Sequence, residues 1–344
     1  MQKEITTRGP LLDERGRLRE RGYAKSMLLD YNPENIRLTP SRLLNRLRLK
    51  EWDYYGTTTR DYFFSVTVSH VGYIGLVFAY FLDFRDNSQT DSTIVLPLGV
   101  GCRLPHRSDR GDVHFQRGRV RIDFLREPAR RIIKVEWPRF HRSMPLRAEL
   151  EIDQPTEMDS IVMATPIGER CFYYNHKVNC MPTSGWIVLG DRRLELQPDM
   201  ALTSLDWGRG VWPYRTFWNW ASASGFLPDG RTIGLNLGAG FGDLSAATEN
   251  CFYVDGRMTK LGGLDFVYDP RDFFAPWRFV ANDGKLNLRF TPFLERTNNL
   301  NLGILRTEAH QMFGRYDGEV VTDAAETIAI NKQIGWAEEH HAKW

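Results

Sequence analysis

Asp206 is the residue of this 344-residue chain best placed to do acid chemistry. It opens residues 206–220, which hold four of the ten tryptophans, Trp207, Trp212, Trp218 and Trp220, with Arg209 and Arg215 among them. A carboxylate pressed among indoles is desolvated, and desolvation favours its protonated form. Such an acid can deliver a proton to an alkene or an oxygen. Indole faces stabilise a developing carbocation by about 2 kcal/mol when desolvated. A hydratase, isomerase or cyclase acting on an apolar molecule needs that combination. The structural alternative is that Asp206 pairs with Arg209 or Arg215 and pins a junction, which lowers its pKa.

Other residues extend the candidate site. Glu249, in Thr248-Glu-Asn250, is a second acid–base candidate or a solvated strand-edge carboxylate. His176, in Tyr173-Tyr-Asn-His-Lys177, is a third or a hydrogen-bonded strand histidine. Trp207, Trp212, Trp218 and Trp220 are candidate pocket walls, and Arg209, Asn219, Asn236 and Tyr174 are candidate ligand contacts. Ordinary sheet packing would also use these residues. Strand alternation puts Trp218 and Trp220 on one face with Ser222 and Ser224, and Asn219 on the other with Ala221 and Ala223. Either face could line a pocket, with Ala221 and Ala223 as its floor and Asn219 as its polar contact. Thr232, Gly234, Asn236 and Gly238 make a face too small to fill a core. It lines a cavity, admits a neighbouring backbone or faces water.

Several chemistries lack their motifs. Gly238-x-Gly-x-Gly242 has no strand–turn–helix context, so it is expected to be a loop rather than a dinucleotide site. No HExxH, nucleophile elbow, phosphate loop or calcium loop is present. His340 and His341 are adjacent, so a strand sends them to opposite faces, and no metal site is expected at residues 338–341. The sequence calls for no cofactor. Trp336 and Trp344 are expected to dock on the adjoining sheet.

Composition narrows the class. A net charge of +2 gives no global field for nucleic acid or an anionic membrane. The arginines of residues 15–21 and 42–48 are diluted by glutamates and read as a solvated face. The longest apolar run, residues 71–82, is about half of what a membrane helix needs and reads as a buried strand. The first thirty residues carry no apolar leader pattern. Cys102, Cys171, Cys180 and Cys251 lack paired spacing and read as free thiols of a cytoplasmic protein.

The elements that must position these residues are strands. Period-two alternation runs through residues 119–124, 133–137 and 148–152. Asp229-Gly230, Asp255-Gly256, Asp283-Gly284, Asp317-Gly318 and Gly190-Asp191 read as hairpin turns. One helix is expected from Ser41 to Glu51, with Leu43, Leu44 and Leu47 on one face. So many strands exceed one small barrel and must hide their edges, which suits two barrels in tandem. The expected division is an arm with a helix over 1–51, a first barrel over 52–205 and a second over 206–344. The junction falls in residues 197–213, where a ligand cleft between domains is expected.

A series of phrases supports this architecture: Leu205-Asp-Trp-Gly-Arg-Gly210, Trp218-Asn-Trp-Ala-Ser-Ala-Ser-Gly225, Asp229-Gly-Arg-Thr-Ile-Gly-Leu-Asn-Leu-Gly238, Thr248-Glu-Asn250 and residues 335–344. Together they resemble the bacterial family known as domain of unknown function 2804, which brings no activity with it. Leu205-Asp-Trp-Gly208, then Trp218-x-Trp220 and Asp229-Gly230, is similar to the seam motif of the hydroxyneurosporene-synthase and AttH-like group. In this chain Trp207 stands where that group has histidine. The resemblance implies an all-β protein of two tandem lipocalin-like antiparallel barrels and an apolar substrate. Three functions fit: a cofactor-independent hydratase, isomerase or cyclase, a carrier or sensor of a hydrophobic ligand, and a structural or partner-binding module.

Overall fold

The computed structural model describes residues 2–301 and 306–343, and antiparallel strands take up most of them. They form two large curled sheets and one minor parallel pair, Gly9–Pro10 with Leu29–Asp30. The main path of the first sheet is Ser88–Pro97, Ile74–Asp83, Tyr62–His70, Leu49–Thr58, Leu202–Val211, Phe172–Leu189, Met144–Asp153, Arg130–His141, Val120–Glu127 and Val113–Arg117. Ile161–Pro166 and Arg192–Leu196 add to Phe172–Leu189. The second sheet runs Arg257–Lys260, Cys251–Val254, Thr232–Ala239, Arg215–Phe226, Thr327–Lys343, Arg306–Val321, Leu286–Thr297, Trp277–Ala281 and Leu264–Val267. Each sheet bends until distant strands approach: Ser88–Pro97 meets Arg130–His141, and Thr232–Ala239 meets Leu264–Val267. The fold is all-β with two barrel-like sheets in tandem.

Each sheet encloses its own apolar interior. Phe64, Val66, Val68 and Tyr55 point into the first, and Ala221, Ala223, Leu235, Leu237 and Phe279 into the second. A third cluster lies between the sheets. Tyr54, Phe63, Tyr80 and Leu82 of the first sheet pack on Trp220, Leu294, Phe313 and Trp336 of the second. Strands at this seam are therefore buried on both faces. All ten residues of Leu202–Val211 are buried.

The sequence expectations need several corrections. The stretch expected as an irregular junction contains the central strand Leu202–Val211, so position 206 lies inside the first sheet. The chain changes sheets at residues 212–214. The helix is shorter than expected, Arg42–Arg46, capped by the Ser41 side chain on the Leu44 amide, because a strand begins at Leu49. Leu43 and Leu44 face solvent. The Asp-Gly pairs at 229, 255 and 283 do connect hairpins, as does Gly190-Asp191. Asp317-Gly318 does not: it is an irregularity within Arg306–Val321. Gly318 has φ +138°, and a Cβ there would stand 2.2 Å from the Asn287 carbonyl oxygen, so glycine relieves crowding in the ladder. Trp336 is fully buried at the seam, while Trp344 lies outside the described residues.

Candidate active site at the seam

Strand register assembles the site. Lys177, Asp206, Tyr54, Thr67 and Phe78 are successive partners across five neighbouring strands of the first sheet. Gly238, Trp220, Glu338, Gln311 and Arg296 are successive partners across five strands of the second. The two rows face each other across a cavity of about 210 Å³, and all ten residues line it. Four strand spacings of about 4.8 Å give each row a length of roughly 19 Å. The facing is direct: Lys177 Nζ lies 3.9 Å from the Trp220 ring centroid, the Tyr80 hydroxyl donates to Gln311 Oε1 at 3.1 Å, and the Arg296 guanidinium carbon lies 3.9 Å from the Tyr80 ring centroid.

Aromatic rings wall the cavity. Trp52 stacks on Tyr173 at 5.6 Å, Trp212 packs edge-on against Trp52, Trp218 and Phe241, and Trp218 stacks on His340 at 4.0 Å. Into this greasy slot three carboxylates project. Lys177 Nζ lies 3.7 Å from Asp206 Oδ1 and 3.3 Å from Glu249 Oε2. Gly238 makes room for Glu249: a Cβ there would stand 2.2 Å from Glu249 Oε1. The Asn236 side-chain amide orients the same carboxylate at 3.2 Å, while its oxygen accepts the Trp220 indole N–H at 2.9 Å. Glu338 accepts the Trp218 indole N–H at 3.0 Å and the Gln311 amide at 3.3 Å.

Burial and charge set the protonation states. Burial lifts Asp206 above the ordinary aspartate value; the Lys177 ammonium partly offsets this, and Glu249 adds to it. Asp206 Oδ1 is buried and accepts no hydrogen bond. Burial pulls the Lys177 ammonium toward neutrality, but Asp206, Glu249 and Glu338 outweigh it, so lysine stays charged. Burial raises Glu338 to about 7, against opposition from the Trp218 N–H and the Lys177 charge. A carboxylic acid at that value is poised to give and take a proton near neutrality. Burial depresses His340 to about 3 and so keeps it neutral.

The candidates read from sequence divide by face. Asp206, Glu249, Trp212, Trp218 and Trp220 line the cavity, and Asn236 braces it from behind. Trp207, Arg209, Tyr174 and His176 sit on the opposite faces of their strands. Trp207 packs edge-on against Tyr174 within the first sheet's interior. Arg209 pairs with Asp53 at 2.7 Å, so it is Lys177 and not an arginine that neutralises Asp206. The Tyr174 hydroxyl donates to the Leu29 carbonyl oxygen at 2.7 Å. His176 is held between Ser108 Oγ at 2.5 Å and Ser160 Oγ at 2.8 Å, and burial depresses it to about 3. Asn219 turns away from the cavity to donate to the Tyr268 hydroxyl and the Glu338 carbonyl, each at 3.1 Å. Ala221 and Ala223 belong to the second core and not to a pocket floor. The small face of Thr232–Ala239 does not face water: Gly234 lies against Asn179 and Cys180 of the first sheet, and Gly238 against Glu249.

Sequence reading gave Lys177, Glu338, Gln311, Arg296, Trp52, Tyr54 and Tyr80 no role in the site. One signal for Glu338 was available, because Trp336, Glu338 and His340 share one face of a strand. An acid flanked by two rings at period two suits an enclosed site better than a solvated terminus.

Solved structures share the architecture at low identity. Kievitone hydratase from Nectria haematococca is 10% identical with a TM-score of 0.55, over 86% of this chain and 89% of that one. A Nitrosomonas europaea protein assigned to AttH is 13% identical with a TM-score of 0.48, over 85% and 92%. CghA with Sch210972 is 10% identical with a TM-score of 0.45, over 86% and 89%. No curated protein matches the sequence. A family model does match, from residue 2 to residue 344 across both sheets and the seam, and the chain belongs to the family described as Domain of unknown function (DUF2804).

Proposed function

We propose that the seam cavity binds an apolar, isoprenoid- or lipid-like molecule and that the protein acts on it by proton transfer, as a hydratase, isomerase or cyclase. The observation that carries this reading is Glu338, a buried acid that accepts the Trp218 indole N–H, stands opposite Trp220 in the strand register, and is raised to about 7 in a slot that also holds the Lys177 ammonium. Asp206 was the acid expected from sequence. Asp206 pairs with Lys177 at the end of the slot, and in this reading the proton transfer falls to Glu338 instead. In a hydration, the Glu338 O–H proton goes to one alkene carbon and leaves a carbocation at the other. The aromatic wall of the cavity stabilises that cation. Water adds to it and returns one proton to the Glu338 carboxylate, so the acid is regenerated. An isomerase or cyclase ends instead with loss of a substrate proton to the same carboxylate. The shared fold of kievitone hydratase agrees with this reading.

The test has two stages. Native mass spectrometry of protein taken from its own cells identifies the retained molecule, and that molecule is then incubated with wild type and Glu338→Gln. We expect turnover in wild type and a loss of at least roughly 100-fold in the variant, the scale of removing a general acid. Undiminished turnover in Glu338→Gln removes the mechanism. Tight binding with no turnover by wild type leaves a carrier or sensor of the same ligand.

A further inference from the structure

Arg296 ends the second row, two strand spacings or roughly 10 Å from Glu338. Its guanidinium lies over the Tyr80 and Phe78 rings at 3.9 and 6.0 Å. Among the described residues no carboxylate lies within ion-pair distance of it, whereas the buried Lys177, Arg209 and Arg107 each have one. Its Nε is buried without a hydrogen-bond partner. Across the slot, Thr67 is the register partner of Phe78. Thr67 is 2% exposed, and its hydroxyl is also buried without a partner. Both residues line the cavity. Stranded donors of this kind are costly in an apolar wall unless something in the slot meets them.

We infer that the end of the slot formed by Arg296 and Thr67 binds an anionic oxygen group, so that the molecule taken by the cavity is an amphiphilic acid: an apolar body with a carboxylate at one end. A guanidinium on an aromatic face suits a carboxylate, because its planar fork can donate two parallel N–H bonds. The Thr67 hydroxyl supplies a third donor. The acidic end of the slot cannot take the same group, since Asp206 and Glu249 already share Lys177 there. The polarity of the two rows therefore orients the ligand, with the carboxylate at Arg296 and the apolar body running past Glu338 toward Trp220. This places the reacting carbons roughly 10 Å from the carboxylate. The inference rests on the reading of the cavity as an apolar-ligand site.

Matched acid and alcohol pairs test it: retinoic acid with retinol, farnesoic acid with farnesol, and palmitic acid with hexadecanol. Within each pair only the head group differs. Binding is read by quenching of the cavity tryptophans for the retinoids, and by displacement of bound retinoid for the others. We expect wild type to hold an acid at least roughly tenfold more tightly than its alcohol, the scale of one buried charge-assisted hydrogen bond. Arg296→Gln should erase that preference, weakening the acid far more than the alcohol, and Arg296→Lys should keep part of it. Thr67→Val, nearly isosteric, should weaken the acid more than the alcohol, and it serves if Arg296→Gln does not fold. Equal binding of acid and alcohol to wild type overturns the anionic anchor and leaves the apolar site standing, as does a preference that survives in both Arg296→Gln and Thr67→Val. Binding of neither member of any pair overturns the apolar site itself, and the anchor with it.

Discussion

At the residue scale the site turns on how one carboxylic acid is kept near neutrality. Glu338 is raised from an ordinary 4.5 to about 7, first by burial. An acid whose pKa is higher folded than unfolded contributes stability that is complete below the unfolded value and is lost as pH rises through the folded one. Wild type should therefore lose about 3 kcal/mol of stability between pH 4.5 and 7 on account of this group, since each tenfold change in proton affinity is worth about 1.4 kcal/mol. Glu338→Gln has no proton to lose, so the substitution should stabilise the protein at pH 8 by up to about 3 kcal/mol relative to its effect at pH 4.5. Urea titrations of both proteins at the two pH values measure the difference directly. A stability gap that is the same at both would mean that Glu338 ionises as freely as a surface glutamate. The same substitution is expected to remove activity, so a gain of stability coupled to a loss of function would mark the acid as strained for its task.

At the element scale, what could be read from sequence depended on how many faces of a strand are buried. Arg130–His141 and Met144–Asp153 alternate buried and exposed residues, and their period-two pattern is plain in the sequence. Leu202–Val211 is buried on both faces, so its pattern is not periodic. Asp206 and Trp207 are both inward-facing, one to the seam and one to the first core, and the chain there reads as irregular. Pairing partners far apart in sequence are equally invisible: nothing local says that Lys177 opposes Asp206, or that Arg296, Gln311 and Glu338 form one row. The seam also contains a polar staple that no pattern announces. Asn179, in the first sheet, donates to the Ser222 hydroxyl at 2.9 Å and to the Ala223 and Leu235 carbonyls at 3.1 Å, all in the second sheet. Asn179→Ala should cost about 2–3 kcal/mol, because several buried acceptors lose one shared donor. Asn179→Asp, which keeps the shape and loses the donors, should cost at least as much. Chemical denaturation gives both numbers, and a cost below about 0.5 kcal/mol for each, the level of an ordinary surface change, would show that the staple is incidental.

At the scale of the whole molecule, the tandem architecture was legible from strand count and turn chemistry, but the seam was not, because it exists only where two sheets meet. The meeting is substantial. Phe63 of the first sheet lies 4.9 Å from Phe313 and 5.3 Å from Trp336 of the second, and stacks at 5.8 Å on Tyr80 of its own sheet. Trp220 packs edge-on against Tyr54 and Trp336. Opening this contact would expose a large aromatic surface and would also break the Lys177–Glu249 ion pair and the Tyr80–Gln311 hydrogen bond, which cross from one sheet to the other. Neither sheet can then unfold without taking away part of the other's burial, and the two should melt together despite having separate interiors. We expect far-UV circular dichroism and tryptophan fluorescence to trace one coincident transition in urea, with calorimetric and van't Hoff enthalpies equal. Trp336→Ala removes a fully buried indole from the middle of the shared cluster. It should lower stability by about 3–5 kcal/mol, and the two probes should then part, since the coupling between sheets is what the indole supplies. Two resolved transitions already present in wild type, with Trp336→Ala moving only the one that belongs to the second sheet, would mean that the sheets fold alone and that the cavity between them is held by less than the aromatic contact implies.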